Sequence, residues 1–170
     1  LSSSEHALLR ESAHGYRLQG VVAVPLGDVP CHIEYTVEID HRWHASEARA
    51  TIATPSDVRE IVLQSRHTGE WELDGVPAPS LGSCHDIDLG WTPATNTIPI
   101  RRLDLEIGKS ASIAAAWVRF PELDVVSNQQ QYTRLANDRW RYQSGDYDFE
   151  LATDPGSGLV LTYGDDLWRV

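Results

Sequence analysis

The sequence predicts an all-β fold, mainly antiparallel, of about 10–14 strands with at most a short helix. Two patterns point there. Apolar and polar residues alternate with period two: Cys31, Ile33, Tyr35, Val37 and Ile39 share one face, and His32, Glu34, Thr36, Glu38 and Asp40 the other. Turn-forming residues then recur between such runs at the spacing of a sandwich, barrel or roll.

The elements follow in order. Ser2 and Glu5 have capping-box spacing and could open a helix. Gly15 follows soon, however, and Tyr16, Leu18 and Val21–Val24 read as a strand, so a β-hairpin over Glu5–Val24 is the favoured assignment. Asp74-Gly75 suits a type I′ hairpin, which needs positive φ at both central residues. Pro77–Gly82 reads as one surface loop. Leu103, Leu105 and Ile107 alternate with Arg102, Asp104 and Glu106, which predicts another strand. Ser110–Phe120 is a more apolar strand ending at Pro121. Gly108-Lys109 and Asn137-Asp138 mark further turns, and Asp154–Gly158 divides the Tyr147–Ala152 strand from a last one beginning at Leu159.

The 170 residues are enough for one domain, 1–170, with a substantial core, and no linker or repeat divides them. A formal net charge of −11 argues against nucleic acid and against adsorption to anionic membrane surfaces, since both need clustered Lys and Arg. No apolar run reaches the roughly 18–20 residues of a transmembrane segment. Cys31 and Cys84 lack metal-binding spacing and read as small buried side chains; a disulfide would need their strands to approach closely. This cysteine usage, and first residues without the basic and apolar regions of a signal peptide, favour the cytoplasm. No GxSxG, phosphate-cradling glycine loop or dinucleotide fingerprint occurs, so no cofactor is expected.

Gly82–Leu103 concentrates the candidate chemistry: two aspartates, a Thr/Asn turn and paired arginines in one short run. Such groups cost free energy if buried and unpaired, so they pair, face water or bind something. Asp86 and Asp88 share a strand face, roughly 7 Å apart at Cα, a spacing that could also serve a glycoside hydrolase. His85 points away from both aspartates on a regular strand, which argues against a metal. Thr95, Asn96 and Thr97 lie between Pro93 and Pro99 in a stiffened extended loop, as turn-builders or as contacts to sugar hydroxyls. Arg101 has the parity of Leu103, Leu105 and Ile107 and so needs a partner, which is Asp86 or Asp88 in a salt bridge, backbone carbonyls or a ligand anion, whereas Arg102 faces water. Gln130, Tyr132 and Arg134 alternate onto one face as cross-strand pairs or as a ligand-lining row. Trp43, Trp71, Trp117 and Trp140 read as core or inter-strand packing.

Several stretches together resemble a known bacterial family. They are Glu5-His6, Gly69–Gly75, Cys84–Leu89, Thr92–Leu103, Gln130–Leu135 and Arg169-Val170, with the T-P-x-T-N-T-x-P-I-R-R run the most specific. The chain resembles the Putative glycolipid-binding family over nearly its whole length. That resemblance implies a spiral antiparallel β-roll or half-barrel, similar in shape to bacterial carriers that shuttle lipoproteins between membranes. It also implies a lipid or glycolipid as partner, and it carries no catalytic residues. A partly closed sheet leaves a concave face suited to an amphiphile, whose buried methylenes contribute about 0.8 kcal/mol each. Trp91, in the Gly90–Thr92 turn, departs from the family pattern and becomes a candidate for stacking on a sugar or touching a membrane. The expected function is thus non-enzymatic binding, with Asp86, Asp88, Trp91, Thr95, Asn96, Arg101, Gln130, Tyr132 and Arg134 as candidate ligand contacts. A hydrolase using Asp86 and Asp88, or a protein-interaction module using an exposed sheet edge, are the alternatives.

Overall fold

A computed structural model describes residues 3–67, 70–164 and 168–169. Ser2, Gly69 and Val170, which entered the capping-box and family patterns above, lie outside these residues.

Two seven-stranded sheets organise the chain. The first is an antiparallel meander of β1 (Ser4–Ser12), β2 (Gly15–Leu26), β3 (Val29–Ile39), β4 (Ala45–Ala53), β5 (Val58–His67), β6 (Glu70–Leu73) and β7 (Val76–Pro77), in sequence order. The predicted hairpin over Glu5–Val24 is β1 with β2, where Leu9 faces Leu18. Asp74 and Gly75 turn β6 into β7 with φ of 51° and 79°, the two positive values a type I′ turn requires. The second sheet holds β8 (Asp86–Leu89), β9 (Ser110–Val118), β10 (Val125–Arg134), β11 (Arg139–Ser144), β12 (Tyr147–Thr153), β13 (Val160–Tyr163) and β14 (Trp168–Arg169). It is antiparallel except where β8 runs parallel to β9, and it curls into a half-barrel.

The period-two pattern explains the first core. Leu18, Val22, Ile33, Tyr35, Val37 and Leu63 point inward from the meander and pack on Leu81, Ile87, Leu89, Ile98, Ala116 and Val118. Leu81 lies in a short 3-10 turn at Pro79–Leu81 and is 1% exposed, so the expected surface loop over Pro77–Gly82 is corrected: one residue of it is core. At Gly20 a Cβ would come within 2.5 Å of the Tyr35 ring. That close approach lets the Tyr35 hydroxyl donate to Glu5, whose Oε1 also accepts from Thr92 Oγ1 at 2.7 Å. Burial raises the Glu5 carboxyl above its ordinary range, and the two hydroxyl donors offset part of that rise. Cys31 and Cys84 are both buried and both free.

The connection between β8 and β9 departs most from expectation. Instead of an extended loop and a strand, Pro93–Asn96 form a 3-10 turn and Thr97–Leu103 a helix, α1. Pro99 falls in the first helical turn, where its missing N–H has no intrahelical partner to lose. Thr92 starts the segment by accepting the Ala94 N–H at 2.9 Å, and Asp104 ends the helix in a left-handed conformation, φ 40°. In a run this short, apolar residues at 98, 100, 103 and 105 fit either period, and docking into the half-barrel selects the helix. Ile98 is buried in the first core, while Ile100 and Leu103 enter a second with Ile113, Tyr132, Trp140, Tyr142 and Leu151.

Helical geometry also reverses the two arginines. Arg102, expected in water, makes a bidentate ion pair with Asp86 through Nε to Oδ1 at 3.1 Å and Nη2 to Oδ2. Arg101 meets neither aspartate: its guanidinium donates to the Ser157 and Gly156 carbonyls and lies 5.6 Å above the Trp43 ring. Removing one member of a buried pair leaves the other charge uncompensated. Arg102→Ala is therefore expected to lower stability by about 3–5 kcal/mol in chemical denaturation, far more than Arg139→Ala, whose exposed pair with Glu150 is screened by water.

Candidate functional site

The concave face of the second sheet has one parity along every strand. Asp86 and Asp88 lie beside Ala115 and Trp117, then come Asn128, Gln130 and Tyr132, then Trp140, Tyr142 and Ser144, then Phe149 and Leu151, and finally Tyr163. Helix α1 fills one end of this trough with Ile100 and Leu103. The other end stays open as a cavity of about 620 Å³.

Aromatic rings form much of its wall: Trp91, Trp117, Tyr142, Tyr147, Phe149 and Tyr163. Tyr142 and Tyr163 lie 5.9 Å apart, Phe149 and Tyr163 5.3 Å, and Tyr147 and Phe149 5.8 Å between ring centroids. These tilted contacts hold one another's orientation. Polar groups interrupt the rings: Asp88, Thr92, Asn96, Asn128, Ser144 and Asp146. Ser144 Oγ donates to Asn128 Oδ1 and to the Gln129 carbonyl, each at 3.0 Å, which fixes that side of the wall.

Asp88 is half-buried, and Gln130 Nε2 donates to its Oδ2 at 2.6 Å. Desolvation raises its pKa from 3.8 to about 6, against the opposing hydrogen bond. Gln130 Oε1 in turn accepts from the Tyr132 hydroxyl at 3.2 Å, and that hydroxyl also donates to Asn96 Oδ1 at 2.7 Å. This chain of hydrogen bonds ties the cavity floor to the 3-10 turn. Trp91 is 7% exposed, and its indole Nε1 is buried without a partner among the described residues.

Of the nine residues singled out from sequence, Asp88, Trp91 and Asn96 line the cavity. Gln130 and Tyr132 stand directly behind them, buried and bonded to Asp88 and Asn96. The other four lie away from it. Asp86 is fully buried against Arg102; burial pushes its carboxyl up and the guanidinium pulls it back. Thr95 Oγ1 accepts from the Leu89 N–H at 3.4 Å inside the turn. Arg101 staples the turn between β12 and β13, and Arg134 donates to the Leu105 carbonyl at 2.7 Å while stacking 5.5 Å from Trp140. Because Trp91 is buried, it has no face to offer a membrane.

Sequence reasoning missed Asn128, Tyr142, Ser144, Asp146, Tyr147, Phe149 and Tyr163, and it assigned Trp117 to packing although the ring is half-buried at the cavity. Aromatics at alternating positions 140 and 142, and again at 147 and 149, were the available signal. His85 is exposed, and among the described residues no three or more of His, Cys, Asp and Glu gather to hold a metal. No helix there is long and apolar enough to cross a membrane.

A carboxyl raised from 3.8 to about 6 binds a proton in the folded state where the unfolded chain has lost it. Asp88 therefore subtracts stability as pH rises from about 4 through 6, and Asp88→Asn removes that loss. The variant is expected to be more stable than the parent by about 1–3 kcal/mol at pH 7.5 and equal to it near pH 4, measured by urea denaturation across that range. A parent whose stability rises over the same window would contradict the assignment.

Comparison with known proteins agrees with this architecture. A DUF1089 family protein from Pseudomonas aeruginosa, known from a crystal structure, superposes with a TM-score of 0.87 at 31% identity, over 100% of this chain and 93% of that one. No curated protein matches the chain. The family described as Putative glycolipid-binding matches residues 1–169, and the chain, with its half-barrel and its specific T-P-x-T-N-T-x-P-I-R-R run, belongs to that family.

Proposed function

We propose that the protein is a non-enzymatic binder of a sugar-headed amphiphile, held in the cavity at the open end of the half-barrel. The carrying observation is a cavity of about 620 Å³ in which six aromatic rings alternate with carboxylate, amide and hydroxyl groups. Its volume lies within the roughly 300–1,000 Å³ range of small-molecule sites. Sugars have apolar C–H faces and polar edges, so a wall of rings interrupted by hydrogen-bonding groups answers both. The family description points the same way. An alkyl tail would lie along Leu89, Phe149 and the Tyr147–Tyr163 rings, each methylene removed from water contributing about 0.8 kcal/mol.

The hydrolase alternative needs two carboxyls within reach of one glycosidic bond. Asp86 is fully buried and held at both oxygens by Arg102, which leaves Asp88 without that partner. This favours binding over hydrolysis by that pair.

Trp91 and Trp117 line the cavity, so intrinsic fluorescence reports on its occupancy. Octyl β-glucoside, titrated below its micelle concentration, is expected to give a saturable change, and octanol a much weaker one. Asn128→Trp places a large ring in the lumen and is expected to abolish saturation in calorimetry while preserving the far-UV spectrum. Absence of a saturable signal with the parent protein, or full affinity in Asn128→Trp, would remove the basis for this assignment.

A further inference from the structure

The donors, acceptors and charges of the wall specify more than an amphiphile. We infer that the cavity selects an uncharged glycosyl head group and rejects anionic ones, with the Trp91 indole N–H donating to a ring or hydroxyl oxygen of the sugar. This inference rests on the binding function proposed above and narrows its ligand class.

Charge is the first ground. The described lining contains two carboxylates, Asp88 and Asp146, and no Lys, Arg or His. The two nearby arginines are committed elsewhere, Arg102 to Asp86 and Arg101 to the carbonyls of Gly156 and Ser157. A phosphate, sulfate or uronate in this trough would meet like charge with no guanidinium or ammonium to offset it. Low-dielectric walls strengthen that repulsion.

Hydrogen-bonding capacity is the second. An ionised carboxylate only accepts, so Asp88, and Asp146 on the exposed turn between β11 and β12, would take donors from the ligand. The Trp91 N–H only donates, is buried, and has no acceptor among the described residues. Native proteins seldom leave such a group unsatisfied. A sugar hydroxyl both donates and accepts, so one head group can complete all three. Its ring would lie beside Trp117, which is half-buried in the same wall. A simple alcohol has one hydroxyl proton to donate and an aliphatic chain has none, so neither can complete all three.

Two probes with the same ring and tail separate this inference from the reading beneath it. Octyl β-glucoside and octyl β-glucuronide differ in a C6 carboxylate in place of a hydroxymethyl. Calorimetry at pH 7.5 is expected to show the glucuronide binding at least about tenfold more weakly. The double variant Asp88→Asn, Asp146→Asn is expected to close that gap to within about threefold, because it removes the repelling charges. Trp91→Phe keeps an aromatic ring but removes the pyrrole part of the indole together with its N–H. It should weaken glucoside binding roughly three- to tenfold, while the packing lost with the smaller ring shows separately as a lower Tm. Equal affinity for the two probes, a gap that persists in the double variant, or undiminished glucoside affinity in Trp91→Phe would each overturn the inference while leaving amphiphile binding intact. If neither probe binds the parent protein, both conclusions fall together.

Discussion

Helix α1 closes one end of the half-barrel because Arg102 reaches across to Asp86 on β8, and the rest of the site depends on that reach. Asp86 is fully buried, and it tolerates burial by being held at both oxygens by one guanidinium. The pair fixes α1 in rotation and translation against the sheet. Ile98 then enters the core shared with the meander, and Ile100 and Leu103 enter the trough. The helix fills only one end, so a cavity remains at the other. Replacing the pair with apolar side chains could match its stability, but it would not specify the helix position in the same way.

A second set of bonds converges on the 3-10 turn that precedes α1. Glu5 on the outermost strand of the first sheet accepts from Tyr35 and Thr92, so the meander is tied to a residue of the cavity wall. Arg101 joins the same segment to the β12–β13 turn, and Thr97 Oγ1 donates to the Gly158 carbonyl at 3.1 Å. Strands β1 and β3 and the β12–β13 turn thus hold one short connection in place. Such support suits a binding site whose groups must be in position before the ligand arrives, because little ordering is then left to oppose binding.

The cavity itself is less favourable to folding than it needs to be. Among the described residues, Asp88 is a desolvated carboxyl bonded to Gln130 alone, and the Trp91 N–H is buried without an acceptor. Both features cost stability, and both would be relieved by a polyhydroxylated ligand. Glu5 and Asp86 have two hydroxyl donors and a guanidinium to offset their burial, whereas Asp88 has one amide.

Much of this molecule was legible in the residues. Alternation over Cys31–Ile39 fixed an inward face, Asp74-Gly75 fixed a hairpin, and the T-P-x-T-N-T run pointed to the family and its half-barrel. Asp88, Trp91 and Asn96 could be singled out because polar or aromatic residues were unusually dense in that stretch. The arginines could not be assigned, because parity arguments assume a strand, and consecutive helical residues diverge by about 100° rather than 180°. Nor could the far wall be found, since Asn128, Tyr142, Phe149 and Tyr163 come from four strands that only sheet curvature brings together. The sequence alone determined which residues alternate, turn and cluster, because those are local steric and solvation preferences. Tertiary structure alone decided helix over strand at Thr97–Leu103, which arginine meets Asp86, and where a hollow remains, because each depends on surfaces supplied by distant parts of the chain.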